Sequence, residues 1–127
     1  MEKLRNTLVI IGGVNFLLFG LFHLAFWHLF GWKNELTELT HINSIIMQML
    51  NIGVSVFLLA FGFLMLFYRR EILNSALGRA LLIIFALFWL ARLIAEFVFP
   101  GSSIVLGFIL LLCTLLYLIP AVIKVEK

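Results

Sequence analysis

Four apolar runs, each long enough to cross a lipid bilayer as a helix, constrain this chain more than any other feature. A hydrocarbon core about 30 Å thick is crossed by about 20 predominantly apolar residues in helical form. Such runs cover about residues 8–30, 42–67, 80–99 and 104–123. They take up about 90 of the 127 positions and leave no room for a separate soluble domain. The runs are continuous rather than alternating, so they read as helices and not as the strands of a membrane barrel. The links between them are short, which favours antiparallel neighbours. The expected fold is therefore all-α: a single domain over residues 1–127, built as an antiparallel bundle of four transmembrane helices.

Composition points the same way. Hydrophobic residues make up 65% of the chain and charged residues 12%. A soluble globule of this size still exposes roughly a third of its unfolded surface and has no place to hide that excess. Disorder needs the opposite balance, low hydrophobicity with high net charge. A single cysteine, Cys113, excludes an internal disulfide framework and a multi-thiolate metal site. The basic start (Lys3, Arg5) is shared with secretory signals. However, the apolar run that follows exceeds the roughly 7–15 residues of a signal core and meets no small-residue cleavage site, so the first span is expected to be retained.

The links carry their own punctuation. Thr40 is placed to cap the second span, Asn74-Ser75 marks a turn before the third, and Pro100-Gly101-Ser102-Ser103 stops one helix and caps the next. Lys3, Arg5, Arg69, Arg70, Arg79, Lys124 and Lys127 fall on one side of a four-span topology, and Lys33 alone on the other. This positive-inside bias predicts cytoplasmic N- and C-termini. The net charge of +3 is thus a topology signal, and no nucleic-acid partner is expected. Trp27, Trp32 and Tyr68 fit interfacial aromatic belts.

Polar groups inside spans are costly, at least about 2.5–3.5 kcal/mol for a charge at the bilayer centre, so each needs a reason. The first span holds Asn15, His23 and His28; the third holds Arg92 and Glu96. His41, Ser44, Gln48, Asn51 and Ser55 recur at spacings of 3, 4, 3 and 4, which keeps them on one face of the second helix. Arg92 and Glu96 lie one turn apart on one face of the third. With a rise of about 1.5 Å per residue, His23, Asn51 and Arg92 are expected at matching depths in the outer half of the bilayer. An outward-opening polar pocket between the first three helices follows from that register.

Each of these residues has a plain reading and a functional one. Arg92 with Glu96 is either an intrahelical pair that lowers its own insertion cost or a ligand site in which the guanidinium holds a carboxylate or phosphate. In the second case Glu96 orients Arg92 or accepts a proton. Gln48, Asn51 and Ser44 serve as interhelical hydrogen-bonding groups or as ligand contacts. His23 and His41, with or without Glu96, offer the nitrogen and oxygen chemistry of a zinc, copper or iron site, although no H-x-x-x-H or E-x-x-H spacing supports it. No phosphate-cradling loop, catalytic nucleophile motif or zinc-protease motif is present. Broken, repeated spans of the transporter type are absent as well.

The segments Leu39-Thr40-His41-Ile42-Asn43-Ser44-Ile45-Ile46-Met47-Gln48-Met49-Leu50-Asn51-Ile52, Phe88-Trp89-Leu90-Ala91-Arg92-Leu93-Ile94-Ala95-Glu96-Phe97-Val98-Phe99 and Gly20-Leu21-Phe22-His23 resemble small four-span bacterial integral membrane proteins. The resemblance implies four spans in a bacterial cytoplasmic (inner) membrane and brings no activity with it.

Three function classes follow. The first is a binding protein in which His23, Gln48, Asn51, Arg92 and Glu96 contact a small polar or anionic ligand or a lipid head group. The second is a metal- or haem-dependent membrane enzyme or electron carrier using His23 and His41. The third is a structural subunit, either homo-oligomeric or held against a partner membrane protein through its polar face.

Overall fold

The computed structural model describes residues 1–99 and 101–123. Pro100, expected in the third link, and Lys124 and Lys127, counted in the charge bias, lie outside the described residues. Within them the chain is all-α and contains no strand. Its order is α1 (Glu2–Leu24), α2 (Phe26–Leu29), α3 (Trp32–Glu35), a 3₁₀ turn (Leu36–Glu38), α4 (His41–Phe67), α5 (Arg69–Asn74), α6 (Ala76–Val98) and α7 (Ile104–Val122). Helices α1, α4, α6 and α7 are long and apolar enough to cross a membrane. A spanning segment in hydrocarbon has no water for its backbone groups and must satisfy them internally, which a helix does. The protein is a multi-pass membrane protein of the four-helix type.

The expected caps form. Thr40 Oγ1 accepts from the Asn43 amide at 3.3 Å, and Ser103 Oγ accepts from the Leu106 amide at 3.3 Å. Ser75 Oγ accepts from the Gly78 amide at 2.9 Å, which starts α6 at Ala76, four residues earlier than hydropathy places the span.

The first span departs most from expectation, running Glu2–Leu24 instead of about residues 8–30. Its apolar run continues to Phe30, but the helix does not. The Ala25 amide is shared between the carbonyls of Leu21 and Phe22, and the His23 carbonyl accepts from the side-chain amide of Asn51 at 2.9 Å. A side chain that enters the helical ladder in this way is one of the recognised causes of a break. Residues 25–38 then form two single-turn helices and the 3₁₀ turn, with Gly31 between α2 and α3 at φ 58°, a left-handed conformation suited to glycine.

Contacts gather into two compact units, Gly13–Leu64 and Met1–Gly12 with Met65–Lys127. In the first, α1 and α4 run antiparallel. Phe16 meets Phe57 edge-on at 6.3 Å, Gly20 lies against Leu59, and Gly62 lies against Leu17 and the Gly13 carbonyl.

In the second unit, α6 and α7 form an antiparallel hairpin. Phe97 lies against Gly107, while Phe85 and Trp89 both pack on Tyr117. Tyr117 is fully buried, and its hydroxyl donates to the Gly12 carbonyl at 2.7 Å. Arg5 donates from Nε to the Pro120 carbonyl and from Nη2 to the Leu73 carbonyl, at 3.1 and 3.0 Å. Both acceptors lie in the last turns of their helices, where carbonyls lack intrahelical partners. One arginine thus closes the ends of α5 and α7 and places its charge where both helix dipoles favour it.

Gly12, Gly20, Gly62, Gly78 and Gly107 mark close approaches, but Gly53 does not: nothing stands within 4 Å of where its Cβ would be. At Gly78 a Cβ would stand 2.2 Å from both the Cα and the carbonyl oxygen of Ile72. These are backbone atoms, so no rotamer change relieves the clash. Gly78→Ala is expected to cost more than the about 1–3 kcal/mol typical of overpacking, because α5 must move off α6. Gly53→Ala should be neutral or stabilising by up to about 1 kcal/mol, since glycine is a poor helix former. Thermal midpoints of the two variants in detergent test the contrast, and equal midpoints would refute it.

Candidate functional site

Arg92 and Glu96 stand one turn apart near the end of α6. Arg92 Nη2 lies 3.1 Å from Glu96 Oε2, and the two side chains are 47% and 8% exposed. The other carboxylate oxygen, Oε1, accepts from the backbone amide of Ser103 at 2.9 Å. In a capping box, the first residue of a helix caps with its side chain while a glutamate three positions on returns to that residue's amide. Here Ser103 supplies the side-chain cap of α7, but position 106 is leucine, and Glu96 reaches the Ser103 amide from the preceding helix. The box is divided between two helices and ties the α6–α7 turn shut.

This arrangement has an electrostatic consequence. Both Glu96 oxygens are engaged and its side chain is buried, whereas the guanidinium stands half exposed and has five donors in a planar fork. Arg92 and Glu96, with Ala95, Phe99, Gly101 and Ser102, line a cleft of about 400 Å³. Gly101 adopts φ 90°, which a side chain would resist, and so the turn that walls the cleft needs glycine there. The charge offered to the cleft is positive, and its geometry suits a carboxylate or phosphate.

In the other unit His23 and Asn51 hold each other. His23 Nδ1 lies 2.8 Å from Asn51 Oδ1, and Asn51 Nδ2 donates to the His23 carbonyl. The amide oxygen can only accept, so Nδ1 carries the proton and donates. The imidazole also stacks on Phe26 at 4.3 Å. Ser55, fully buried, donates to the Asn51 carbonyl at 2.8 Å. His23 stands in the last turn of α1, while Asn51 lies ten residues into α4, about 15 Å from its start. Residues 25–40 therefore fold back beside the first turns of α4.

Gln48 and His41 lie on that folded-back side. Gln48 Nε2 donates to the carbonyl and the hydroxyl of Ser44, and both residues line a second cleft of about 420 Å³ with His41, Trp27, Trp32 and Lys33. Among the described residues, no three His, Cys, Asp or Glu side chains gather so as to hold a metal ion.

Of the five residues expected in one ligand site, Arg92 pairs with Glu96 and His23 with Asn51, while Gln48 bonds to Ser44. Sequence reasoning missed the Ser103 amide, because a backbone donor leaves no mark in composition. It also assigned Trp27 and Trp32 to an aromatic belt and not to the wall of a cleft. The signal available was their spacing around Gly31 and beside Lys33. No known protein-family model, curated protein or solved structure matches the chain.

Asn51→Leu removes two hydrogen bonds and strands the last-turn carbonyl of α1. A loss of about 1–3 kcal/mol is expected, measured as unfolding free energy in mixed micelles. Unchanged stability would show that the His23–Asn51 pair does not secure α1 to α4.

Proposed function

We propose that this protein is a membrane-embedded binding protein whose Arg92 cleft receives a small anionic group, a carboxylate or a phosphate, free or carried on a lipid head group. The observation that supports the reading most is the engagement of both Glu96 oxygens, by the Ser103 amide and by Arg92. A carboxylate held at both oxygens acts as a positioning group. It fixes the guanidinium at the cleft and leaves other donors of the fork for a ligand. His23 and Asn51 satisfy one another and serve the scaffold in this reading.

The basic residues Lys3, Arg5, Arg69, Arg70 and Arg79 lie towards one end of the spans, and we assign that end to the cytoplasm. Both termini then face inward, and the Arg92 cleft lies towards the outer surface of a bacterial cytoplasmic membrane. In a Cys113→Ala background, Lys33→Cys should react with an impermeant maleimide in intact cells and Arg70→Cys only after lysis. The reverse labelling would invert the topology.

Binding is tested by thermal unfolding in detergent at fixed ionic strength, with inorganic phosphate, citrate or phosphatidylglycerol against chloride and phosphatidylcholine. Stabilisation should approach about 2.7 kcal/mol at a hundredfold excess over the dissociation constant. Arg92→Gln should abolish it, while Arg92→Lys, which keeps the charge but loses the fork, should retain a weaker response. An Arg92→Gln variant that folds and responds like the wild type would overturn the proposal.

A further inference from the structure

The second cleft is independent of the Arg92 reading and has a chemistry of its own. Its walls are two indoles, Trp27, which is 43% exposed, and Trp32, which is half-buried. Three constraints hold the walls in place. Gly31 in the left-handed region sets the turn before Trp32, Phe26 meets Trp32 edge-on at 5.8 Å, and Leu36, only 6% exposed, anchors the chain behind it. A surface held in this way loses little freedom on binding.

The polar groups of the cleft are equally defined. Gln48 spends its amide hydrogens on the Ser44 carbonyl and hydroxyl, which leaves its Oε1 as an acceptor and the Ser44 hydroxyl as a donor. Adjacent acceptor and donor suit hydroxyl groups, which play both parts. Lys33 and His41 complete the rim; among the described residues Lys33 makes no ion pair, and no carboxylate lines the cleft. With Lys33 on the rim and no carboxylate in the lining, the cleft favours a ligand that carries a negative charge. An indole face suits a ring with an apolar face. The connection joins the ends of two spans, so the cleft opens at the membrane surface.

We infer that the cleft formed by Trp27, Trp32, Lys33, His41, Ser44 and Gln48 binds a hydroxylated ring bearing a phosphate, of the sugar-phosphate or polyol-phosphate class. The ring packs on the indoles, its hydroxyls pair with Gln48 and Ser44, and the phosphate meets Lys33. Such a group is presented either by a lipid, as a phosphorylated polyol head group, or by a soluble metabolite.

Tryptophan fluorescence tests this directly, because Trp27 and Trp32 line the cleft while Trp89, the third tryptophan, is buried in α6. The full chain is titrated in detergent with inositol phosphate, glucose phosphate, inositol and inorganic phosphate, and in nanodiscs with phosphatidylinositol or phosphatidylglycerol. A saturable emission change is expected with the ring phosphates, at least tenfold tighter than with inositol or inorganic phosphate alone. Trp27→Phe should reduce its amplitude. Lys33→Met and Gln48→Leu, on exposed and half-buried positions, should weaken binding at least tenfold with the circular dichroism unchanged. Saturation in nanodiscs but not with soluble ring phosphates assigns the lipid source, and the converse assigns the soluble one. The inference is overturned if phosphatidylglycerol or inorganic phosphate produces the Trp27-dependent emission change as tightly as the ring compounds, if no titration saturates, or if the Lys33 and Gln48 variants bind like the wild type.

Discussion

The paired hydrogen bonds between His23 and Asn51 decide how the first half of the chain is built. Asn51 takes a carbonyl from the last turn of α1, and the helix ends one residue later although its apolar sequence runs on. The residues released from that helix cannot cross the membrane and instead fold back beside the start of α4. With this bond in place the chain from Phe26 onward leaves the α1 helix, and Trp27 and Trp32 line a cleft with Gln48. A single amide side chain, placed at the right depth, converts a surplus of apolar sequence into a structured surface.

The same demand, that buried polar groups find partners, shapes the other unit. Tyr117 brings a hydroxyl into an apolar core and discharges it on the Gly12 carbonyl. Arg5 closes two helix ends at once, and Glu96 satisfies the amide that opens α7. In each case a side chain supplies what water would supply in a soluble protein. The residues with the greatest insertion cost are therefore the ones that fix geometry, and at Arg92 part of that fixed geometry remains turned outward.

Much of this was legible in the sequence. Run length gave four helices, and the caps at Thr40 and Ser103 follow from residue type and position. The periodic polar face of α4 was visible as a spacing, and Ser44, Gln48, Asn51 and Ser55 do hydrogen-bond along and across that face. Two things were hidden. The early end of α1 depends on a partner 28 positions away, which no local pattern encodes. The role of Glu96 depends on a backbone amide, which every residue except proline has. Hydropathy reads where a chain prefers lipid; it does not read where a distant side chain interrupts a helix.

The divided capping box also bears on how the protein enters the membrane. Arg92 and Glu96 are on one helix and pair as soon as that helix forms, and Glu96 then closes the turn into α7 using groups from the hairpin alone. The two final spans therefore carry their own charge neutralisation and their own turn closure. What the hairpin still lacks, a partner for the Tyr117 hydroxyl and a donor for the Pro120 carbonyl, comes from α1 through the Gly12 carbonyl and Arg5.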